Sequence, residues 1–398
     1  MAYARSLVEA EPPRRRRTSP YAIDRLNFDT GRGDAVYGRS EVPAEVSTQL
    51  EDVAFTFGRS YDSYVVLGPR WHYFVAPENA GVIGFSPTWF GFHAIGGLIA
   101  AASNKPALLD GFCRFCESHR QRPLIYNVGA EDGPLLRSRG FELTKWGEEP
   151  IIDLQSTDWR GKAYEWVRRQ ENYCLRHGLT SREICVGEDE NWQALRQEIE
   201  ALSNEHIRRT THGRELDVFM GALGLDRFNR RRLFVASSEN RIEAFVVCNP
   251  CQGGRRWAFE IYRRAETAPR GTVPFLFMQT MRALKAEGVE EVSLSLIPAL
   301  NCREQPEGHS QFFARMLQMW WNRFNWLFDL RGIYHFKSRF RPRYEPRYVA
   351  ALPHFGFLES YAFADILNLF EPNPVALARG ISRHLRKRSA RGTLAEPE

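Results

Sequence analysis

Short apolar runs alternate with amphipathic stretches along the first half of the chain. Runs with the length and composition of strands are Tyr64–Leu67, Trp71–Val75, Val82–Phe85, Pro123–Val128 and Ile151–Leu154. Apolar positions at helical spacing predict helices over Leu108–Glu117, Glu131–Arg139 and Gly161–His177. A glycine follows each of the last two segments, which is where helices commonly end. This alternation of strands and helices predicts an α/β layer.

The second half repeats the same order of elements. Trp192, Leu195, Ile199 and Leu202 recur at helical spacing. The segments that follow are strands at Arg232–Ser237, Arg241–Cys248 and Arg256–Tyr262, a helix from the turn Arg270-Gly271-Thr272 to Ala286, and a strand at Glu291–Ile297. Three antiparallel strands, a glycine turn, a helix and one more strand is the order of the acetyltransferase (GNAT) fold. The sequence therefore predicts an α/β (α+β) protein of tandem GNAT-like acyltransferase domains, with mixed, mostly antiparallel sheets and helices on both faces.

Composition along the chain predicts four parts. Residues 1–20 form a basic N-terminus that we expect to be disordered. Residues 21–180 form an N-terminal GNAT-like domain, residues 181–365 a C-terminal GNAT-like catalytic domain, and residues 366–398 a basic amphipathic tail. Between Pro372 and Thr393 the tail carries six basic residues and no acidic one. That composition suits an anionic membrane surface or an RNA backbone, and a solvated, frayed segment is the alternative.

Residues 81–102 contain no Asp, Glu, Lys or Arg, and a stretch of this length can span a bilayer. Pro87 and five glycines make it a poor lipid-facing helix, so a buried strand–loop–helix is favoured. Met1–Arg17 has no apolar segment of the secretory type, and seven cysteines in 398 residues do not form a disulfide scaffold. We therefore expect a cytoplasmic protein, which its basic tail could hold at the inner face of the cell membrane.

Composition and charge narrow the class of protein further. Hydrophobic residues make up 43% and charged residues 26% of the chain, which excludes a fibre or a globally disordered protein. Basic residues number 54 against 48 acidic ones, for a net charge of +6, and all but six of the basic residues are Arg. Arginine suits bidentate contacts with phosphate and carboxylate groups, although an arginine-favouring genome would produce the same bias.

Two Cys-x-x-Cys pairs, Cys113/Cys116 and Cys248/Cys251, could together supply the four thiolates of a zinc site. They lie too far apart in sequence for a zinc ribbon, so we interpret the four cysteines as small buried hydrophobic residues and predict no metal. The sequence has no Walker A motif, no Rossmann glycine triplet and no His-Glu-x-x-His pattern. We therefore predict no cofactor.

A carboxylate and an arginine lie near the end of the third predicted strand of the second half. Strict alternation places Trp257, Phe259 and Ile261 on one face and Ala258, Glu260 and Tyr262 on the other. At this end of a GNAT sheet the acyl donor meets the acceptor. Glu260 could hold an amino group there, and Arg263 could stabilise charge on an ester carbonyl. An ordinary exposed ion pair is the alternative.

The segment Phe336–Tyr348 interleaves five basic residues with four aromatic ones. Its basic residues are Lys337, Arg339, Arg341, Arg343 and Arg347, and its aromatic residues are Phe336, Phe340, Tyr344 and Tyr348. Basic side chains can bind phosphates while aromatic rings stack on bases. The pattern therefore predicts a site for a polyanion.

This segment also resembles the Phe-Lys-x-Lys-Phe-x-Pro-x-Trp-Glu-Pro-Arg-Tyr signature of the aminoacyl-phosphatidylglycerol synthases, the MprF or phosphatidylglycerol lysyltransferase (lysylphosphatidylglycerol synthetase) family. Further blocks of that family's catalytic domain have counterparts in the same order at Lys145–Glu149 with Asp153-Leu154, Gly161-Lys162 with Arg168 or Arg169 and Asn172, Glu260–Arg263, and Ser293–Leu300. The resemblance covers roughly residues 55–360. Several independent blocks in one order make chance an unlikely source of the match.

The resemblance implies two GNAT-like domains around a tunnel and a tRNA-dependent aminoacyltransferase. The amino acid would move from aminoacyl-tRNA to a hydroxyl of a membrane lipid such as phosphatidylglycerol. Glu260 would bind the α-amino group and Arg263 would polarise the ester, while Lys337 and Arg347 would orient the tRNA end or the acceptor. The substrate-binding residues expected with these are Tyr262, Ser295, Arg339, Tyr344, Glu345, Arg347 and Tyr348.

The sequence departs from the family pattern at four positions. Glu260 replaces an aspartate, Arg339 a lysine, Tyr344 a tryptophan and Ile297 a small residue. The family's multi-span flippase domain has no counterpart here, so we expect the product not to be flipped by this chain. The alternatives are aminoacylation of a small soluble hydroxyl acceptor, an acyl-CoA-dependent GNAT enzyme, and a non-catalytic RNA- or membrane-binding protein. An acyl-CoA-dependent enzyme needs a glycine-rich loop to bind the pyrophosphate. Residues 264–272 contain only one glycine, Gly271, which weighs against this alternative.

Overall fold

The computed structural model describes residues 33–38, 42–68, 71–209, 223–225, 228–239, 241–323 and 329–366. The predicted basic N-terminus, residues 1–20, lies outside the described residues. So does the predicted tail, residues 366–398, apart from Ile366.

In the described part of the chain, thirteen strands form one sheet in the order β1-β2-β3-β4-β5-β13-β6-β11-β10-β9-β8-β7, and β12 pairs with β6. The strands are β1 Ala35–Tyr37, β2 His72–Val75, β3 Gly81–Thr88, β4 Gly91–Ala100, β5 Pro123–Val128, β6 Glu142–Asp153, β7 Thr180–Ile184, β8 Arg232–Ser238, β9 Arg241–Cys251, β10 Arg256–Arg264, β11 Glu291–Ser293, β12 Ile297–Pro298 and β13 Arg343–Ala351.

The α-helices of the described ranges pack against this sheet. They are α1 Ala44–Phe57, α2 Lys105–Ser118, α3 Gly133–Ser138, α4 Glu165–Arg176, α5 Trp192–Arg209, α6 Thr272–Ala286, α7 Gln311–Arg323, α8 Leu330–Ser338 and α9 Phe357–Ile366. Helix α6 begins after Gly271, which has φ +92°, a backbone conformation that glycine adopts without a steric penalty. Its Phe277 ring then packs edge-on against Phe259 of β10, with 4.8 Å between the ring centroids.

Each half of the sheet contains four antiparallel strands followed by one parallel step. The parallel pairs are β4 with β5 and β10 with β11, and the other strand pairs are antiparallel. The strand beyond each parallel pair comes from the opposite half of the chain, because β13 lies beside β5 and β6 lies beside β11. This sheet confirms the predicted mixed, mostly antiparallel fold. The predicted domain boundary at residue 180 stays a prediction.

The structure corrects three predicted elements. Val65–Leu67 is a short 3-10 helix and not a strand. Residues 81–102 contain the hairpin β3–β4, so the predicted helix there is wrong: the sheet on both sides supplies backbone partners for an apolar strand. The predicted strand Glu291–Ile297 is interrupted at Ser295, which has φ +63°. None of the helices that the structure describes combines the length and apolar character needed to cross a membrane.

Candidate active site

Glu260 occupies a β-bulge in the middle of β10. The pairing of β10 with β9 runs from Phe259 opposite Cys248 directly to Ile261 opposite Val247, so Glu260 is the extra residue. The bulge changes which side chains share a face. Tyr262 packs with Phe259 in the cluster beneath α6, while Ile261 joins the cluster beneath α5. The predicted strict alternation is therefore wrong beyond Glu260, because a bulge resets the two-residue period.

The Glu260 carboxylate is buried, with 4% of the residue exposed. Its Oε2 accepts hydrogen bonds from Asn249 Nδ2 and, at 3.2 Å, from Arg231 Nη2. No described residue donates a hydrogen bond to Oε1. Burial raises the pKa of Glu260 to about 7, against the opposing effects of Arg231 and Asn249. The site thus holds a carboxylate with one buried oxygen available to a positively charged or N–H donor group.

Beside Glu260 the parallel strands β10 and β11 separate. Their pairing ends at Ala258 opposite Ser293. Ser295 bridges the opening, because its Oγ donates to the Phe259 carbonyl at 2.7 Å and its N–H donates to Ser293 Oγ at 3.0 Å. The positive φ of Ser295 turns its own carbonyl toward Lys337.

Lys337 lies at the end of α8 and is only 3% exposed. Its Nζ donates to the carbonyl oxygens of Ser295 at 2.9 Å and Leu296 at 3.3 Å. Burial lowers the pKa of Lys337 to about 7, and the Glu149 carboxylate opposes that shift. A lysine with this pKa exists in both protonation states near neutrality, which suits it to proton transfer.

Glu149 and Arg347 form a buried ion pair between β6 and β13. Arg347 Nε and Nη2 each lie 2.6 Å from Glu149 Oε2, and Glu149 also accepts from Ser293 Oγ. Arg347 Nη2 extends to Glu345 Oε2 at 3.2 Å. The Arg347 guanidinium therefore links β13 to β6. Its expected part in substrate binding stays a prediction.

We expect Arg347→Met to destabilise the protein by about 3–5 kcal/mol, because Glu149 would be left buried without its charge partner. The free energy of unfolding from urea titration checks this. The double variant Arg347→Met/Glu149→Gln should recover much of the loss. Arg343→Met is the matched control on the same strand: its side chain is 46% exposed, so we expect a cost below about 1 kcal/mol. Equal costs for the two arginines would contradict the prediction.

A third buried carboxylate, Asp62, approaches the site from the N-terminal half. It accepts from Ser60 Oγ at 2.6 Å, from the Gly96 N–H at 3.0 Å and from Asn127 Nδ2. Burial raises its pKa to about 6, and the negative charge of Glu149 acts in the same direction. The charge of Asp62 in turn raises the pKa of Glu260. The two halves therefore share one electrostatically linked group of buried side chains.

The remaining predicted catalytic residue, Arg263, is buried on β10 and donates from Nη1 to Ser203 of α5. Tyr262 lies under α6, with its ring centroid 5.0 Å from that of Phe277. Burial raises the pKa of Tyr262 to about 12, so it stays neutral.

The other residues of the predicted polyanion segment are distributed over several elements. Arg339 contacts His335 Nε2 at 2.9 Å and lies 5.6 Å from the Trp166 ring. The Tyr344 hydroxyl is buried and has no hydrogen-bond partner among the described residues. Glu345 accepts from Arg256, and Tyr348 packs against the cluster beneath α2. Ser295 and Lys337 are thus in direct contact, as are Glu345 and Arg347, whereas Arg339 and Tyr348 contact other parts of the fold.

Sequence reasoning missed Asn249, Arg231 and Asp62. Each lies far from Glu260 in sequence or on another strand, and its residue type carries no motif of its own. The four Cys-x-x-Cys cysteines are free thiols. Cys116, Cys248 and Cys251 lie in three different hydrophobic clusters. Within the described ranges, no group of three or more His, Cys, Asp or Glu residues is arranged to hold a metal ion.

Comparison with known proteins places these features in a family. A family model described as phosphatidylglycerol lysyltransferase, C-terminal, matches residues 45–351. A phosphatidylglycerol lysyltransferase of Bacillus subtilis (strain 168) is 22% identical over 286 residues, which are 71% of this chain and 32% of that protein. One of Staphylococcus aureus (strain COL) is 19% identical over 308 residues, which are 76% of this chain and 36% of that protein. The chain spans about a third of the length of these curated relatives.

Solved structures show the same fold. The structure of L-PGS from Bacillus licheniformis superposes with a TM-score of 0.67 at 20% identity and covers 83% of this chain and 97% of that one. The crystal structure of FemX superposes with a TM-score of 0.51 at 9% identity over 81% of this chain. The family resemblance and the predicted mixed, mostly antiparallel α/β fold are thereby confirmed, whereas the division into two domains around a tunnel stays a prediction. Since the family model matches most of its length, this chain belongs to the family of phosphatidylglycerol lysyltransferase C-terminal domains.

Proposed function

We propose that this chain is an aminoacyltransferase that moves an amino acid from aminoacyl-tRNA to a hydroxyl of a membrane lipid such as phosphatidylglycerol. The observation that carries the proposal is the pair of buried groups at the opening between β10 and β11. Glu260 and Lys337 both have a pKa of about 7, one raised and the other lowered by burial. Buried groups whose pKa values are shifted to near neutrality are typical of functional sites. Family membership supports the same reaction class.

The proposed reaction is a transesterification. The acceptor hydroxyl oxygen bonds to the ester carbonyl carbon, the bond from that carbon to the tRNA ribose oxygen breaks, and the hydroxyl proton passes to the departing ribose oxygen. Because the ester is already activated, catalysis needs only positioning of the reactants and stabilisation of the developing charge. The transesterification is balanced without a cofactor. Glu260 Oε1 holds the α-ammonium group of the donor, and neutral Lys337 carries the proton from acceptor to leaving group.

Helix α4 disfavours the acyl-CoA alternative. An acyl-CoA enzyme of the GNAT class binds pyrophosphate at the helix N-terminus that follows the glycine turn. In this chain that position is the start of α6, where a Cβ built on Gly271 would lie 2.7 Å from Gln170 Oε1 of α4. Cys174 of α4 also lies 3.8 Å from the Arg270 carbonyl oxygen. With side chains of α4 over the start of α6, aminoacyl-tRNA is the better supported donor.

The partners proposed with this function are aminoacyl-tRNA, an anionic phospholipid or a small hydroxyl acceptor, and a membrane surface contacted through residues 372–398. A chain that uses cytoplasmic tRNA and a membrane lipid would work at the inner face of the cell membrane. The basic sequence of residues 372–398 supports weak, salt-sensitive attachment there.

The experiment that tests the proposal uses the purified chain, bulk tRNA charged with labelled amino acids, and anionic lipid vesicles. We expect label in the chloroform phase. The family resemblance assigns Arg263 to the ester carbonyl, so Arg263→Ala should lower the rate at which label appears there about 10²-fold or more. Arg264→Ala is the matched control, since that neighbouring side chain is exposed. In a second mixture that contains a small polyol, label on an ester of that polyol, separated from the free amino acid that hydrolysis releases, would instead indicate a small acceptor. Label that stays on tRNA in every mixture would contradict the proposal.

A further inference from the structure

One side of the molecule exposes large apolar side chains that globular proteins usually bury. Trp89 and Phe357 are 63% and 68% exposed. We call the whole set the aromatic face: Trp89, Phe312, Met319, Phe357, Leu358 and Tyr361, each at least 44% exposed. Exposed apolar patches of this kind mark contacts with another surface.

The aromatic face is continuous across three elements. The Phe90 ring, in the turn between β3 and β4 next to Trp89, lies 6.4 Å from the Tyr361 ring of α9. At the start of α9, one turn before Tyr361, the Phe357 ring lies 6.4 Å from the Phe312 ring of α7. Met319 follows Phe312 by seven residues on α7, which places both on one side of that helix. A hairpin tip and two helices therefore present one surface.

The charged residues that α7 contributes beside the aromatic face are positive. Helix α7 contains no Asp or Glu, and its Arg315 and Arg323 are exposed in line with Phe312 and Met319. On α9, Glu359 is buried and its Oε1 lies 2.6 Å from Arg122 Nη1, whose side chain is 46% exposed. The chain continues from the end of α9 into residues 367–398, whose sequence adds six basic residues between Arg379 and Arg391.

Helix α7 also joins the aromatic face to a cavity. Gln318, Trp321 and Asn322 of α7 line a space of about 440 Å³, and Glu148 and Leu300 form part of its far wall. Glu148 precedes Glu149, the partner of Arg347, on β6. The same helix thus contributes Phe312 and Met319 to the aromatic face and Gln318 and Asn322 to a cavity that borders β6.

We propose that the aromatic face rests in the interfacial layer of an anionic lipid bilayer and presents α7 to the headgroups. Trp, Tyr and Phe with flanking Arg is the composition of membrane-interface surfaces, where rings enter the acyl boundary and cations meet lipid phosphates. The inference rests on the proposed function for its biological meaning, because it identifies the side from which a lipid acceptor would approach. Its physical test is independent of catalysis.

The test is flotation of the full chain with vesicles of phosphatidylcholine, with and without phosphatidylglycerol. We expect Trp89→Ser/Phe357→Ser to weaken binding to phosphatidylglycerol vesicles about tenfold or more, since both side chains would leave the interface. The loss should persist at salt concentrations that screen the basic residues. Tyr173→Ser/Leu175→Ser is the matched control, because it removes two exposed apolar side chains from α4. We expect it to bind like the wild type, and both variants should unfold at the wild-type temperature.

Transfer assays separate this inference from the proposed function. The aromatic-face variant should lose transfer to vesicles while keeping transfer to phosphatidylglycerol dispersed in detergent. If the wild type binds vesicles but transfers the amino acid to no acceptor, the proposed function is overturned. The proposal that the aromatic face contacts the bilayer is then still supported. Unchanged vesicle binding by the variant would overturn the proposal that the aromatic face contacts the bilayer. If, instead, the variant turned a wild-type dimer into a monomer with no effect on flotation, a second copy of the chain would be the occupant.

Discussion

Glu260→Gln should lower kcat/KM for aminoacyl-tRNA by about 10²–10³-fold, the size of effect expected when one partner of a buried, hydrogen-bonded charge pair between protein and ligand is lost. The substitution keeps the shape of the side chain and removes its charge. The α-ammonium group of the donor then loses its charge partner. Because that contact is already made when the donor binds, most of the loss should fall in KM.

The dependence on pH gives this prediction a second readout. Because burial raises the pKa of Glu260 to about 7, its carboxylate forms as the pH rises through that value. In the wild type kcat/KM should therefore rise between about pH 6 and pH 8. In Glu260→Gln the part of that rise that depends on Glu260 disappears, and what remains reports the titrations of Lys337 and of the donor's own α-amino group.

Glu243→Gln is the matched control for Glu260→Gln. Glu243 is a buried carboxylate of β9, 2% exposed, and it accepts from Arg241 and Ser238 at the far end of that strand. We expect its replacement to leave kcat/KM unchanged. Transfer by Glu260→Gln at the wild-type rate, with a wild-type pH profile, would remove Glu260 from the mechanism.

The sequence predicts the elements of this fold well wherever one periodicity continues through an element. Pro123–Val128 is a strand with the predicted bounds, and the predicted helix over 108–117 lies inside α2, Lys105–Ser118. The predicted alternation of faces failed at Ile261 and Tyr262. A β-bulge arises from the pairing of two strands, so the sequence of one strand alone does not show it. The prediction of a helix within residues 81–102 also failed. An apolar run of this composition is compatible both with a buried helix and with a hairpin of buried strands.

Site residues that belong to a local sequence motif could be predicted. Those that are brought to the site only by the folding of distant segments were missed. Lys337 stood out among aromatic residues, but its helix and its burial depend on contacts with Ser295 and Leu296, about forty residues earlier. Asn249 reaches Glu260 through the pairing of β9 with β10. The exchange of β6 and β13 between the halves joins segments about two hundred residues apart, a separation over which no local pattern operates.

Lys337→Met should abolish most of the transfer and at the same time change how the stability depends on pH. Removal of a proton-transferring side chain lowers kcat by about 10²–10⁴-fold. Methionine has a similar length and no charge, so burial of the chain at this position is kept. Lys285→Met is the matched control, because Lys285 is a lysine of α6 whose Nζ donates to the Thr157 carbonyl away from the opening. That variant should transfer at the wild-type rate.

The sign of the stability effect follows from the lowered pKa of Lys337. Between about pH 7 and the ordinary lysine value near 10.5, the unfolded chain binds a proton at this residue and the folded chain does not. Wild-type stability should therefore rise across this window by about 1.4 kcal/mol per pH unit relative to Lys337→Met. Below pH 7 both states are protonated, and the full cost of burying the ammonium group is present in the wild type.

Urea unfolding of both proteins between pH 7 and pH 9.5 measures this difference. The two lost hydrogen bonds to the Ser295 and Leu296 carbonyls shift the curve of the variant by a constant amount and leave the slope intact. A difference between the two proteins that does not change with pH would mean that Lys337 stays charged in the folded chain. Lys337 would then act by orienting the substrate through its charge, and a role in carrying the proton would be excluded.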